Sequence, residues 1–173
     1  FQDSPPHYWA ACYTAIAAAN HALEAIHNMG GTEELQPYKG EALLCRAYAH
    51  IMLVNLWGEP YNPANAATEL GVADVTQPGK EALVYYDRET VAKVYELIEK
   101  DLTEGLPLIK DNAYDVAKYH FNREAAHAFA ARYYTFRGDS WDKVMEHTNQ
   151  VLGEGTNFNK LLRNYPEKYQ QYS

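Results

Sequence analysis

Apolar residues recur at three- and four-residue steps through most of this chain, and that spacing is the strongest constraint on its fold. A helix turns once every 3.6 residues, so such steps collect the apolar side chains on one face. Five stretches show the pattern, at about 6–27, 37–57, 89–104, 123–137 and 141–152. We therefore predict five helices and no strand, an all-α fold.

Residues that favour helix ends flank these stretches. A glycine follows each of the first four, at Gly30, Gly58, Gly105 and Gly138. Asp87 is predicted to cap the start of the third helix, and Asn122 the start of the fourth. Only a tight turn separates the fourth helix from the fifth, so we expect these two to be antiparallel neighbours.

The stripes predict which side chains are buried. In the first three helices they comprise Trp9, Tyr13, Ile16, Ala19, Leu23 and Ile26, then Ala42, Cys45, Ala49, Leu53 and Leu56, then Val91, Val94, Tyr95, Ile98 and Leu102. The three tryptophans Trp9, Trp57 and Trp141 also lie on stripes, which predicts core positions for them. The two cysteines, Cys12 and Cys45, lie in helical patterns without any CxxC motif, and we expect free thiols.

Helix pairs with small residues on their contact faces resemble tetratricopeptide repeats. We expect residues 1–173 to form a single helical domain built in this way. A long loop is predicted at about 58–88, where prolines and glycines interrupt any sustained period. The tail after Gly155 shows no predicted element.

The charge argues against nucleic acid as a partner. Fifteen lysines and arginines against 23 aspartates and glutamates give a net charge of −8, with no basic run. A phosphate-binding surface needs clustered basic residues. No apolar run is long enough to span a bilayer, and the first residue is Phe1 rather than methionine. We expect a piece of a longer protein.

Three stretches, in order, resemble the SusD/RagB family. They are Trp9-x3-Tyr13-x2-Ile16-x3-Asn20-x2-Leu23; the segment from Gly40-Glu41-Ala42 through Arg46-Ala47-Tyr48 to Trp57-Gly58-Glu59-Pro60; and Tyr95-x2-Ile98-x2-Asp101-Leu102 with Leu106-Pro107, Ala126-x3-Ala130, Arg132-Tyr133 and Gly138-Asp139 downstream. Alanine-rich amphipathic helices are common, but this order and spacing are specific. The resemblance runs from about Trp9 to Leu152.

The resemblance implies a tetratricopeptide-like scaffold, here the N-terminal and middle portion of a longer protein. It further implies a surface lipoprotein of the outer membrane that binds glycans, or peptides in some branches. Such proteins act beside a TonB-dependent transporter of the SusC type. We expect the lipid anchor that would attach such a protein to the membrane to lie outside this sequence.

Glycan capture needs accessible aromatic faces beside amides and charged groups. Three pairs in loops or at helix ends meet that description: Tyr8 with His7, Tyr61 with Asn62, and Tyr114 with Asn112. The alternative for each is a half-buried tyrosine that anchors a loop.

Arg46 lies beside the apolar stripe of the second helix, so its charge must be paired or must reach water. Asp101 of the third helix is the predicted partner, with a structural role for both residues.

Two Glu-x-x-His segments, Glu24 to His27 and Glu124 to His127, raise a di-iron centre as an alternative, completed by Glu41 and Glu99. The order of the segments is wrong for that pattern, because the first helix already carries a pair. We expect no metal, no cofactor and no catalytic residue, since the sequence contains no HExxH, GxSxG, P-loop or GxGxxG motif. A non-catalytic glycan-binding protein is the predicted function. A peptide- or protein-binding helical module is the alternative.

Overall fold

The computed structural model of the chain describes residues 4–79, 85–153 and 170. Its five α-helices are α1 (Pro5–Asn28), α2 (Gln36–Trp57), α3 (Val91–Gly105), α4 (Arg123–Arg137) and α5 (Trp141–Leu152). Four short 3₁₀ helices lie between them, at Glu33–Leu35, Leu106–Leu108, Asp111–Ala113 and Ala117–Tyr119. The described residues contain no strand, only an isolated bridge between Leu70 and Thr90. The predicted all-α fold is confirmed.

The helix α2 lies at the centre of the packing. It contacts α1 on one side and α3 on the other, while α4 packs mainly against α5. Because α2 has neighbours on both sides, Leu44, Ala47, Leu53 and Val54 are all fully buried, and one stripe does not describe it. The stripe prediction is wrong for Leu56, whose side chain is 57% exposed near the end of the helix.

The backbones of α2 and α3 come into close contact at Gly40 and Gly105. A methyl group built on Gly40 would lie 2.7 Å from the carbonyl oxygen of Gly105 and 2.9 Å from Cβ of Leu108. A methyl group on Gly105 would lie 2.9 Å from the carbonyl oxygen of Gly40. Only glycine fits at this crossing, which gives a physical reason for the glycine of the Gly40-Glu41-Ala42 motif.

The predicted N-terminal cap of α4, Asn122, is confirmed, and the predicted cap of α3, Asp87, is wrong. The Asn122 side chain accepts a hydrogen bond from the amide of Ala125 at 2.8 Å, and Gly138 ends α4 with a φ of 76°. Thr90, not Asp87, caps α3, by accepting from the amide of Lys93. The reason is that Glu89 pairs through its backbone with Gly71 and Val72, so the chain remains extended beyond Asp87.

Trp141 is also placed differently from the prediction. Its side chain is 60% exposed at the start of α5, whereas Trp9 and Trp57 are half-buried and pack against the core. The helix α5 packs mainly on α4 and none of its residues is fully buried, so the ring of Trp141 at its first position stays largely in solvent. Cys12 and Cys45 are both free thiols, as expected.

Hydrogen bonds from Tyr13 of α1 and from Arg88 within the segment hold the described part of the segment after α2. The hydroxyl of Tyr13 donates to the carbonyl of Ala73 at 3.2 Å. The guanidinium of Arg88 donates to the carbonyls of Trp57, Leu70 and Gly71. These bonds fix the segment against α1 and α2. The tail after Gly155 lies outside the described residues except for Gln170.

Candidate functional site

Arg46 forms the predicted pair with Asp101 inside the protein. Nε of Arg46 donates to Oδ2 of Asp101 and Nη2 donates to Oδ1, both at 2.7 Å. Asp101 is 1% exposed and Arg46 is 8% exposed. Burial raises the pKa of the Asp101 carboxyl, and the hydrogen bonds and charge of Arg46 oppose that shift. The structural role assigned to the pair stays a prediction.

Two further polar side chains, Asn20 and His50, complete what we call the Arg46 network. Asn20 accepts from Nη1 of Arg46 at 2.8 Å and donates to the carbonyl of Val75 at 2.9 Å. His50 is fully buried, and its Nδ1 lies 2.9 Å from the carbonyl of Arg46. Since a carbonyl only accepts, Nδ1 carries the proton and Nε2 accepts from the Val75 amide at 3.4 Å.

Sequence reasoning missed the roles of Asn20 and His50, although a signal was present. Asn20 lies four residues after Ile16 on the apolar face of α1, and His50 lies four residues after Arg46 on α2. A polar residue at helical spacing from buried ones predicts a buried hydrogen bond. Burial lowers the pKa of His50 to about 4, so the ring is neutral at pH 7. Every buried polar atom of the described side chains has a hydrogen-bond partner, so the network offers no unpaired atom to a ligand.

The first predicted ligand pair, His7 and Tyr8, lies on the exposed first turns of α1. Tyr8 is 40% exposed and stacks on Trp57, with ring centroids 6.3 Å apart and planes 19° apart. One face of the Tyr8 ring is therefore covered by the indole at the end of α2.

The pair Asn112 and Tyr114 lies near the start of α2. The Tyr114 hydroxyl donates to the carbonyl of Pro37 at 3.1 Å, and its ring stacks on His120 with centroids 4.1 Å apart. Pro37 and Trp57 are separated by most of α2, about 30 Å at a rise of ~1.5 Å per residue. Tyr114 is thus remote from Tyr8, and its hydroxyl and ring already have partners within the fold.

Tyr61 and Asn62 line an open groove between the segment after α2 and the end of α4. We call this groove of about 550 Å³ the Tyr61 groove; it is lined by Glu59, Pro60, Tyr61, Asn62, Pro63, Asn65, Glu69, Phe136, Arg137 and Gly138. Its residues mix aromatic rings, amides and charged groups, the combination that glycan capture requires. Phe136 and Arg137, which were not predicted from the sequence, come from the end of α4.

Tyr61 is half-buried and packs against the core. Its ring packs on Tyr95 with centroids 4.7 Å apart, and the guanidinium of Arg137 lies 5.9 Å from the ring centroid. No hydrogen bond of the Tyr61 hydroxyl occurs among the described residues. Asn62 uses its oxygen to accept from the amide of Ala64 at 3.0 Å, so its two N–H donors remain available. These groups can meet a polar ligand without any change in the fold.

Arg137 is held at the groove by acidic neighbours. Its guanidinium donates to Glu99 and lies 3.0 Å from the Asp139 carboxylate. Lys143 of α5 also donates to Glu99, at 3.0 Å. Burial raises the pKa of Glu99, but the hydrogen bonds from Lys143 and Arg137 outweigh it and hold that pKa below its usual range. Glu99 therefore stays charged and fixes one wall of the groove.

The di-iron alternative finds no support in the geometry. Glu24 and His27 are exposed on α1, Glu41 bonds to His120, and Glu99 bonds to Arg137 and Lys143. His127 bonds to His147. Over residues 4–79 and 85–153 no group of three histidine, cysteine, aspartate or glutamate side chains is arranged to hold a metal ion.

Residues 1–135 match the model of a SusD-like family described as starch-binding and associating with the outer membrane. The chain belongs to this SusD-like family. No curated protein matches the chain. None of the described helices combines the length and apolar character needed to cross a membrane.

Solved structures share the fold. A SusD superfamily protein from Bacteroides thetaiotaomicron superposes with a TM-score of 0.75 at 27% identity, over 93% of this chain and 34% of that protein. A SusD-like carbohydrate binding protein from Bacteroides vulgatus gives 0.76 at 21% identity, over 94% and 33%. A laminarin binding SusD-like protein gives 0.71 at 23% identity, over 96% and 34%. The chain spans about a third of these proteins, and its tetratricopeptide-like fold is that of the SusD superfamily.

Proposed function

We propose that this protein captures oligosaccharide at the Tyr61 groove without cleaving it. The observation that carries the proposal is the composition of that groove: a half-buried aromatic ring packed on Tyr95, the amide donors of Asn62 with no partner among the described residues, and a guanidinium held in place. Membership of a starch-binding family supports it. So does the likeness to a carbohydrate binding and a laminarin binding protein.

The physical basis is the two-sided character of a sugar ring. Its C–H face stacks on an aromatic ring, while its hydroxyls exchange hydrogen bonds with amides and charged groups. Tyr61 and Phe136 offer the rings, with Phe136 46% exposed. Asn62 and Arg137 offer donors, and Glu59 offers an acceptor. A volume of about 550 Å³ lies within the range of ligand sites, roughly 300 to 1,000 Å³.

The cellular role follows from the family rather than from the groove. We propose a lipoprotein exposed at the outer-membrane surface, which delivers the captured glycan to a SusC-type TonB-dependent transporter. Neither step requires bond cleavage by this chain.

Calorimetric titration of the intact protein against starch, plant and host glycans tests the proposal. We expect one class to bind and the affinity to fall about tenfold or more in Tyr61→Leu, which keeps apolar packing on Tyr95 but removes the flat face. Tyr119→Leu is the matched control, because Tyr119 is 78% exposed outside the groove. The bound glycan should be recovered uncleaved.

Two results would contradict the proposal. One is a flat response to every glycan with binding of peptides instead, which supports the alternative of a peptide-binding module. The other is glycan binding that Tyr61→Leu and Tyr119→Leu leave equally unchanged, which moves the site elsewhere.

A further inference from the structure

A second concave site lies beside the first turns of α4, between the connection after α3 and α5. We call it the Arg123 cleft; it is lined by Leu106, Pro107, Ile109, Arg123, Ala126, His127 and Gln150 and encloses about 400 Å³. Its floor is apolar and comes from the connection after α3. Its polar groups come from α4 and α5.

The lining of this cleft carries a positive charge although the protein as a whole is acidic. The protein carries a net charge of −8, yet none of the seven lining residues is a carboxylate. Arg123 and His127 are one helical turn apart, so both side chains lie on the same face of α4. Gln150 of α5 adds an amide.

Arg123 differs from nearly all the other basic side chains that the structure describes in lacking a partner. Among the described lysines and arginines, only Arg123 and Lys100 have side chains without a hydrogen bond, a salt bridge or a ring contact. The nearby Asp111 carboxylate bonds to the backbone amide of Arg123 at 2.7 Å and does not line the cleft. The guanidinium therefore keeps its full capacity for two parallel hydrogen bonds to a carboxylate.

His127 can add to that capacity. Its Nδ1 lies 3.0 Å from Nδ1 of His147, so one ring donates and the other accepts. Burial, His147 and the charge of Arg123 lower the pKa of His127, whereas Glu146 raises it. Burial and Lys143 likewise lower the pKa of His147. An anion beside Arg123 would cancel part of that repulsion and favour a protonated His127.

We propose that the Arg123 cleft binds the carboxylate of an acidic sugar, with Arg123 as the paired cation and His127 and Gln150 as further donors. The assignment of the carboxylate to a sugar rests on the proposed glycan capture. The absence of acidic groups from the lining, the unpaired guanidinium and the shared face of Arg123 and His127 carry the site itself. The glycans taken up would then include a uronic acid.

The test uses the intact protein and four probes: D-galacturonate, D-glucuronate, neutral D-galactose, and the methyl ester of galacturonate. We expect the two uronates to bind at least tenfold more tightly than galactose or the ester, since only they carry the charge. Arg123→Gln should remove this preference, and Arg123→Lys should keep part of it. Lys100→Gln is the matched control, because it removes the other unpaired cation from outside the cleft.

The pH dependence gives a second readout. The uronate carboxyl is ionised throughout pH 6 to 8, with a pKa near ~3.5. Affinity should rise several-fold from pH 8 to pH 6 as binding takes up a proton, and His127→Gln should abolish the rise. Circular dichroism before and after each substitution verifies folding.

Equal affinity for galacturonate and its methyl ester would overturn the proposal. So would a uronate preference that survives Arg123→Gln. If neutral glycans bind through Tyr61 while uronates show no preference, the Arg123 cleft alone is rejected. If no glycan binds but isolated uronates bind through Arg123, the cleft stands and the Tyr61 groove is rejected.

Discussion

Two clusters of polar side chains contact α3, one at Asp101 and the other at Tyr95, and they use their hydrogen-bonding capacity in opposite ways. In the Arg46 network, Arg46, Asp101, Asn20 and His50 bond to one another and to the backbone of residues 75 and 76. In the Tyr61 groove, the donors of Asn62 and the hydroxyl of Tyr61 have no partner in the described fold. The first cluster is closed to ligand and the second is open.

The difference in hydrogen bonding between the two clusters indicates which polar residues have a structural role. A buried group must have its partner inside the protein, because leaving it unpaired costs about 1–3 kcal/mol, and more for a charge. An exposed group with unused donors carries no such cost, because water accepts its hydrogen bonds until a ligand replaces the water. Burial with full pairing indicates structure, and exposure with spare capacity indicates recognition.

Replacing Arg46 with methionine should have the largest effect on stability. It leaves the Asp101 carboxylate buried at 1% exposure without its cation, which costs about 3–5 kcal/mol of unfolding free energy. Urea denaturation measures it. Lys39→Met removes the exposed pair with Glu104 and should cost about 1 kcal/mol or less. An unchanged melting temperature in Arg46→Met would remove the distinction between the two clusters.

Acid should weaken the Arg46 network through His50. Its pKa is about 4 in the folded protein and about 6.5 when unfolded, so between these values the unfolded chain binds the extra proton. The contribution of neutral His50 to the free energy of unfolding is complete above pH 6.5. It is lost as the pH falls toward 4, by roughly 3 kcal/mol at most. Urea midpoints at pH 7 and 4.5 test it. His50→Gln should lose less stability over that interval; an equal loss would assign the effect elsewhere.

Gly40→Ala should cost about 1–3 kcal/mol, because the added methyl group meets the Gly105 backbone at 2.7 Å and α2 must move away from α3. Gly79→Ala is the control, since nothing lies within 4 Å of the added carbon. Thermal unfolding of the two variants compares a tight crossing with an open loop. Equal melting temperatures would mean that the crossing relaxes without cost.

Phe136→Ala should change stability least, by about 0.5 kcal/mol or less, because the ring is 46% exposed. Its effect should appear instead in glycan affinity, with a loss of about tenfold by calorimetry. Trp141→Ala removes an aromatic side chain that is 60% exposed outside the groove and should leave affinity unchanged. A stability loss without an affinity loss in Phe136→Ala would place this residue with the structural cluster.

Interactions between residues close in the sequence were enough to predict the helices and several of their ends. Spacing placed α1 to α5 within a few residues, and the side chain of Asn122 caps α4 as expected because a cap acts only on the next turn. The Arg46–Asp101 pair could also be predicted from the sequence, since a charge on an apolar stripe needs an opposite charge beside it. Asp87 failed as a cap because backbone pairing of Glu89 with Gly71, 18 residues away, kept the chain extended.

The composition of the candidate sites could be identified only from the folded structure. Tyr61 and Asn62 are recognisable as an aromatic and an amide in a loop, but Phe136 and Arg137 join them only because α4 ends beside that loop. Likewise, the periodicity of α5 put Trp141 on a stripe, yet that stripe packs on one neighbour and leaves the ring exposed. Periodicity and capping involve contacts within a few residues, so the order of amino acids alone decides them. Which faces meet, and which polar groups are left over, depends on contacts between distant segments, and only the packed structure decides those.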